Sequence, residues 1–258
     1  MAKKRKRRRQ LDMAVATIHR RYGPRALVKG KPASAGSVPH ISTGFPALDR
    51  ALGTGGLPKS KICELVGPAT SGKTTLALKF LAQAQAAGGQ VAYVDQALYF
   101  DPDYAHRCGL DLSRLLVGTS HDLREALAMT EALVHSGGLT AMVFDALDFL
   151  WTDAEAAHLL AATLNRLPVA LSRSGTVLLV LLDSPCGSAP TGDGPALSTL
   201  AHHAAVRLQV VRERWLPNHQ DIRGYEARVG IQKNRMGPAG RTVLLKIEFN
   251  GTVRGNGL

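Results

Sequence analysis

Apolar positions recur along the chain in two different periods, and the pattern changes near residue 41. Leu11, Val15, Ile18 and Tyr22 fall at helical spacing, and Gly23-Pro24 ends that run. Residues 29–39, rich in Lys, Pro, Ala, Ser and Gly, read as a linker. The helix is therefore expected to be tethered to the main domain rather than packed inside it; the plainer alternative folds it back on its own core. From Ile41 onward short apolar runs alternate with amphipathic ones. Ile62–Val66, Val91–Asp95, Leu115–Val117, Ala141–Asp145 and Val177–Asp183 predict strands. Lys73–Ala87, Pro102–Cys108, Leu123–His135 and Asp153–Ser172 predict helices, the last with a kink at Pro168. Continuous apolar strands alternating with helices predict a mainly parallel sheet covered on both faces. After a Ser/Pro/Gly-rich loop, Val206–Arg212, Ala227–Gln232 and Val243–Glu248 predict an antiparallel C-terminal extension. The expected organisation is a basic tail (1–10), a helix and linker (11–40) and an α/β core (41–258).

Charge adds a partner class to this picture. The chain of 258 residues carries a formal +12, and Lys3, Lys4, Arg5, Lys6, Arg7, Arg8 and Arg9 form one run within it. Without that run the remainder keeps about +5, so a polyanion is the natural partner, with DNA ahead of other polyanions. A solvated tail that only aids solubility is the bland alternative. No amphipathic helix supports an anionic membrane surface, and no apolar stretch is long enough to span one. The basic N-terminus lacks the apolar region of a secretory signal. Cys63, Cys108 and Cys186 lie far apart without metal-like spacing, which reads as reduced thiols in a cytoplasmic protein.

The chemistry is concentrated at Gly67-Pro68-Ala69-Thr70-Ser71-Gly72-Lys73-Thr74, followed by Thr75. This segment fits G-x-x-x-x-G-K-[ST] at every fixed position, between an apolar strand and an amphipathic helix. The glycines let backbone N–H groups wrap a phosphate, and the helix adds its positive end. Lys73 is expected to reach the β- and γ-phosphates of ATP, and the Thr74 hydroxyl to ligate Mg2+. Asp145 ends an apolar strand, where its carboxylate is expected to hold the same Mg2+ through water; the bland alternative is a helix cap.

These residues resemble the RecA family. Ile41-Ser42-Thr43-Gly44, Leu48-Asp49, Ala51-Leu52-Gly53 and Gly55-Gly56-Leu57-Pro58 look like the opening of the RecA ATPase core, and the phosphate loop follows at the RecA spacing. The likeness covers about residues 11–249 and lacks the RecA C-terminal domain. It implies that Tyr104 stacks on adenine and Asp101 bonds its amino group. It also implies that the N-terminal helix docks on a neighbouring subunit or on a repair partner. Lys233-Asn234-Arg235-Met236-Gly237 resembles a motif of the RadA/Sms paralogues. By likeness to RecA, Lys233 and Arg235 act in trans on the γ-phosphate of a neighbour's ATP. His202 resembles a nucleotide-sensing histidine of eukaryotic and archaeal recombinases.

Three departures matter. Where RecA has a water-activating glutamate two positions after the Asp95 equivalent, this chain has Ala97. The first DNA loop is shortened to about Leu147–Asp153. The second, Ser184–Ser198, contains no Lys or Arg. The expected function is an ATP-binding accessory paralogue in DNA recombination and repair, with an ImuA-like role one version of it. It would hydrolyse ATP slowly, bind DNA, single-stranded by preference, through the tail, and reside in the cytoplasm, on the nucleoid in a bacterium. The alternatives are a strand-exchange recombinase that forms filaments on single-stranded DNA, and a small-molecule kinase, for which no acceptor pocket or lid is visible.

Overall fold

The computed structural model describes residues 2–24, 26–27, 38–96, 98–146, 154–183, 195–218, 221–249 and 253–255. The chain divides into two units, 1–37 and 38–258.

In the first unit one helix, α1, runs from Ala2 to Tyr22. The basic run, expected as a tail ahead of the helix, is itself helical and continuous with it. Lys and Arg are good helix formers, and that intrinsic preference outweighs the unfavourable placing of cations at a helix N-terminus. Leu11, Met13 and Tyr22 are exposed on it.

The second unit is built around a nine-stranded sheet. Ile62–Gly67 forms its central strand, β3, after a two-stranded ribbon of β1 (His40–Ile41) and β2 (Leu57–Pro58). Then come β4 (Val91–Asp95), β5 (Leu115–Thr119), β6 (Ala141–Asp145), β7 (Val177–Asp183), β8 (Val206–Asn218), β9 (Asp221–Asn234), β10 (Thr242–Glu248) and β11 (Val253–Gly255). The order across the sheet is β11-β10-β9-β8-β3-β7-β6-β4-β5. From β3 the chain leaves for β4, three positions away, and only later fills the gap with β6 and β7. Such a switch opens a crevice at the carboxyl ends of the strands.

Continuous apolar strands are legible in the burial. Cys63 and Leu65 of β3 and Val177, Leu179 and Leu181 of β7 face one core. That core is shared with α2 (Pro46–Leu52), α3 (Lys73–Ala86) and α4 (Pro102–Arg107). Ile62, Val66, Leu178, Val180 and Leu182 face the other, under α5 (Leu123–Ser136), α6 (Ala154–Ser174) and α7 (Pro195–His203). Pro168 lies inside α6, and the helix continues past it to Ser174.

The C-terminal half corrects one expectation. β8 pairs in parallel with β3 and antiparallel with β9, so the antiparallel extension begins at β9. Glu64 and Arg207 sit opposite each other on β3 and β8 as a buried ion pair at 3.5 Å, which ties the two strands together. Among the described residues, no helix is long and apolar enough to cross a membrane.

Candidate functional site

The phosphate loop occupies the carboxyl end of β3, and its backbone leaves no room for side chains at the two glycines. A Cβ on Gly67 would lie 2.2 Å from the Val210 carbonyl oxygen. Gly72 has φ 105°, in the left-handed region, and a Cβ there would meet Ile247 Cδ1 at 2.6 Å and Tyr225 Oη at 2.8 Å. No side chain caps α3 at Gly72, so its first N–H groups are open to an anion. Ser71 Oγ is buried and has no hydrogen-bond partner among the described residues. A buried polar atom of this kind costs free energy until a ligand satisfies it.

Lys73 is the first residue of α3 and is buried. Its Nζ donates to the carbonyl oxygens of Gly67 (2.8 Å) and Pro68 (2.9 Å) and is ion-paired with Asp183. Asp183 ends β7 and stands opposite Gly67 in the strand register. Sequence reasoning missed Asp183, although it closes an apolar strand in the same way as Asp145. Thr74, the residue after Lys73, is exposed. Thr75 is turned inward, and its hydroxyl shares a 2.6 Å hydrogen bond with Tyr104 Oη.

Asp145 closes β6. Tyr93 Oη donates to its Oδ2, and the carboxyl is pushed up to about 6, chiefly by burial and further by the charge of Asp95, with the Tyr93 hydrogen bond and Lys73 opposing. Asp95, opposite it on β4, accepts from the backbone N–H groups of Tyr99 (3.3 Å) and Phe100 (2.9 Å), so it shapes the turn after its strand. Asp183, Asp145 and Asp95 thus end three adjacent strands on the loop side of the sheet.

The two adenine candidates share the first turn of α4. Asp101 caps that helix, accepting from Tyr104 N at 3.0 Å, and its side chain lies in solvent. Tyr104 reaches from there to Thr75 on α3, with the Arg107 guanidinium over its ring at 5.5 Å. Tyr104 therefore stands beside the first turn after the phosphate loop.

Lys233 and Arg235 lie elsewhere. Asn234 pairs with Val206, which pairs with Cys63, so these cations sit at the amino end of β3. The loop begins four residues further on, about 13 Å at the usual rise of a strand. Lys233 Nζ donates to the carbonyl oxygens of Ala201 and His202 (3.1 Å), and Arg235 Nη2 donates to His202 O. Both cap the C-terminus of α7, where exposed carbonyls and the helix dipole favour cations. Burial and the neighbouring Arg235 pull the Lys233 ammonium below its ordinary range. His202 belongs to the same cluster, 5.5 Å from the His203 ring, and is equally remote from the loop of its own chain. Ala97, residues 147–153 and residues 184–194 lie outside the described residues, as does Cys186. Cys63 and Cys108 are buried free thiols.

A mainly parallel sheet with a glycine-bounded phosphate loop at its switch point, three strand-ending carboxylates beside it and an antiparallel wing defines a RecA-like P-loop α/β protein. A family model for the RecA N-terminal domain matches residues 9–167. RecA of Chloroherpeton thalassium is 34% identical over 259 aligned positions, covering 93% of this chain and 72% of its own length. RecA of Chlorobium chlorochromatii is 35% identical, covering 89% and 70%. This chain is a member of the RecA family. Among solved structures, the RadB recombinase shares its fold at a TM-score of 0.66 and 22% identity, over 84% of this chain and all of its own.

Proposed function

We propose that this protein binds ATP at Gly67–Thr75 and works as an accessory RecA paralogue in DNA recombination and repair. The observation that carries the reading is the phosphate loop itself: open N–H groups at the start of α3, an unpartnered Ser71 hydroxyl and Lys73 folded into the space a phosphate would fill. Thr74 and Asp145 are the residues that would hold Mg2+, an ion that takes one or two protein ligands and completes its shell with phosphate oxygens and water. When bound, the ion neutralises charge on the phosphates. Tyr104 and Asp101 supply an aromatic face and a carboxylate acceptor for adenine.

Lys233 and Arg235 lie too far from their own loop to serve it. In an assembly where one copy's α7 end faces the next copy's loop they supply cations in trans. Turnover is slow in this reading, because Ala97 stands where a carboxylate would orient water, and losing such a group costs on the order of 10²–10⁴ in rate. ATP then serves to hold an assembled state on DNA. The exposed cations of α1 neutralise phosphates of single-stranded DNA.

A strand-exchange recombinase is the second reading, favoured by identity of about a third to RecA proteins over most of the chain. Turnover of ATP with and without single-stranded DNA, run beside a strand-exchange assay, separates the two. ATP binding with slow turnover and no exchanged product supports the accessory role; efficient exchange overturns it.

A further inference from the structure

Along β8 the side chains of Leu208, Val210 and Arg212 point to one face. The first two are buried in the core under α3. Gln209 pairs with Val66, so Arg212 stands three residues further on, about 10 Å beyond the strand pair and level with the phosphate loop. At Arg212 a cation takes the place of the next apolar residue on that face. Arg212 Nη1 donates to Thr70 Oγ1 at 3.0 Å, and its guanidinium lies over the Trp215 ring at 4.2 Å. A register shift between Arg212 and Arg214 bends the strand at this point.

Neighbouring arginines have carboxylate partners. Arg207 meets Glu64 at 3.5 Å, Arg214 meets Glu226 at 2.6 Å, and Arg228 meets Glu213. Arg212 forms no ion pair among the described residues. Its contacts are a neutral hydroxyl on the loop and an aromatic face, both of which a guanidinium leaves readily for an anion. Lys73, by contrast, is already neutralised by Asp183. A nucleoside triphosphate arriving with several negative charges thus meets one engaged cation and one waiting cation.

We propose that Arg212 is a second phosphate-binding cation of the nucleotide site, supplied by the same chain, which leaves Thr70 for an outer phosphate oxygen of a bound nucleoside triphosphate. Trp215 holds the guanidinium in its waiting position. The inference rests on the nucleotide reading of Gly67–Thr75 and adds to it a residue that discriminates triphosphate from diphosphate.

The test uses the full chain with Trp151→Phe, so that Trp215 is the remaining tryptophan. ATP and ADP are titrated against this parent, Arg212→Met, Arg212→Lys and Lys73→Ala. Removing a charge-assisted bond predicts about tenfold weaker ATP binding in Arg212→Met, with a smaller loss for ADP. Arg212→Lys recovers part of the affinity, because charge returns without the planar fork. ATP changes Trp215 emission in the parent and leaves it unchanged in Arg212→Met. Parent-like ATP affinity in Arg212→Met, with the emission change intact, overturns the proposal while Lys73→Ala still loses binding. If Lys73→Ala also binds as the parent does, the nucleotide reading falls and this inference with it.

Discussion

Lys73 and Asp183 form an ion pair across the root of the phosphate loop, with Asp183 in register with Gly67 on the adjacent strand. A phosphate bound at the loop as proposed would compete with that carboxylate for the same ammonium. Asp183 is about a third exposed, so solvent screens the pair and its worth is modest. Asp183→Asn is predicted to tighten ATP binding by about two- to fivefold. Weaker binding in a titration with a fluorescent ATP analogue would show instead that Asp183 holds Lys73 in its productive position.

Asp145 gives a pH signature. Its carboxyl titrates at about 6, raised from 3.8 mainly by burial. Because the folded-state value is the higher one, this group favours folding below the unfolded value and loses that contribution as pH rises through 6. Asp145→Asn should therefore raise the melting temperature at pH 7.5 and leave it nearly unchanged at pH 4. Mg2+-dependent ATP binding should weaken as pH falls through 6, because the proton competes with the ion. A wild-type midpoint near pH 4 for that loss would remove Asp145 from the metal site.

Much of this arrangement was legible from the residues, for identifiable reasons. Val177–Leu182 is apolar on both faces, as a parallel strand covered on both sides needs to be, and Ile62–Val66 follows the same pattern except at Glu64, whose partner Arg207 lies on a distant strand. The phosphate loop is a local motif, complete within eight residues. Features made by distant segments were not legible. Arg212 lies 142 positions from Thr70, and nothing near either residue announces the other. The alternation Leu208-Val210 suits a parallel or an antiparallel strand equally, so the pairing of β8 with β3 was unreadable. Lys233 and Arg235 could be picked out by family likeness, but their place at the amino end of the sheet follows from register alone.

Self-association is predicted to run through α1. Leu11, Met13 and Tyr22 are more than 60% exposed on it, and a single helix has no core of its own in which to bury them. Val15→Asp combined with Ile18→Asp should leave a monomer under conditions where the wild type associates with ATP and DNA. Sedimentation showing a wild-type monomer in the presence of both ligands would remove this role from the helix.

DNA affinity should depend on the cations of residues 3–9 and fall steeply with salt, since each neutralised phosphate releases counterions. Deleting residues 1–9 is predicted to weaken binding to single-stranded DNA. It should also flatten the plot of log affinity against log salt by about 0.7 for each phosphate that is no longer neutralised. An unchanged slope would mean that these cations do not touch phosphate.

Whether Gly67–Thr75 is an ATP site is tested most directly by removing one charge from it. Lys73→Ala deletes the ammonium that now fills the loop and leaves the loop backbone in place. Titration of wild type and Lys73→Ala with a fluorescent ATP analogue in Mg2+, with circular dichroism to verify folding, is the measurement. Saturable binding by the wild type and its loss in a folded Lys73→Ala protein is the predicted result; equal affinity in the two proteins would contradict it.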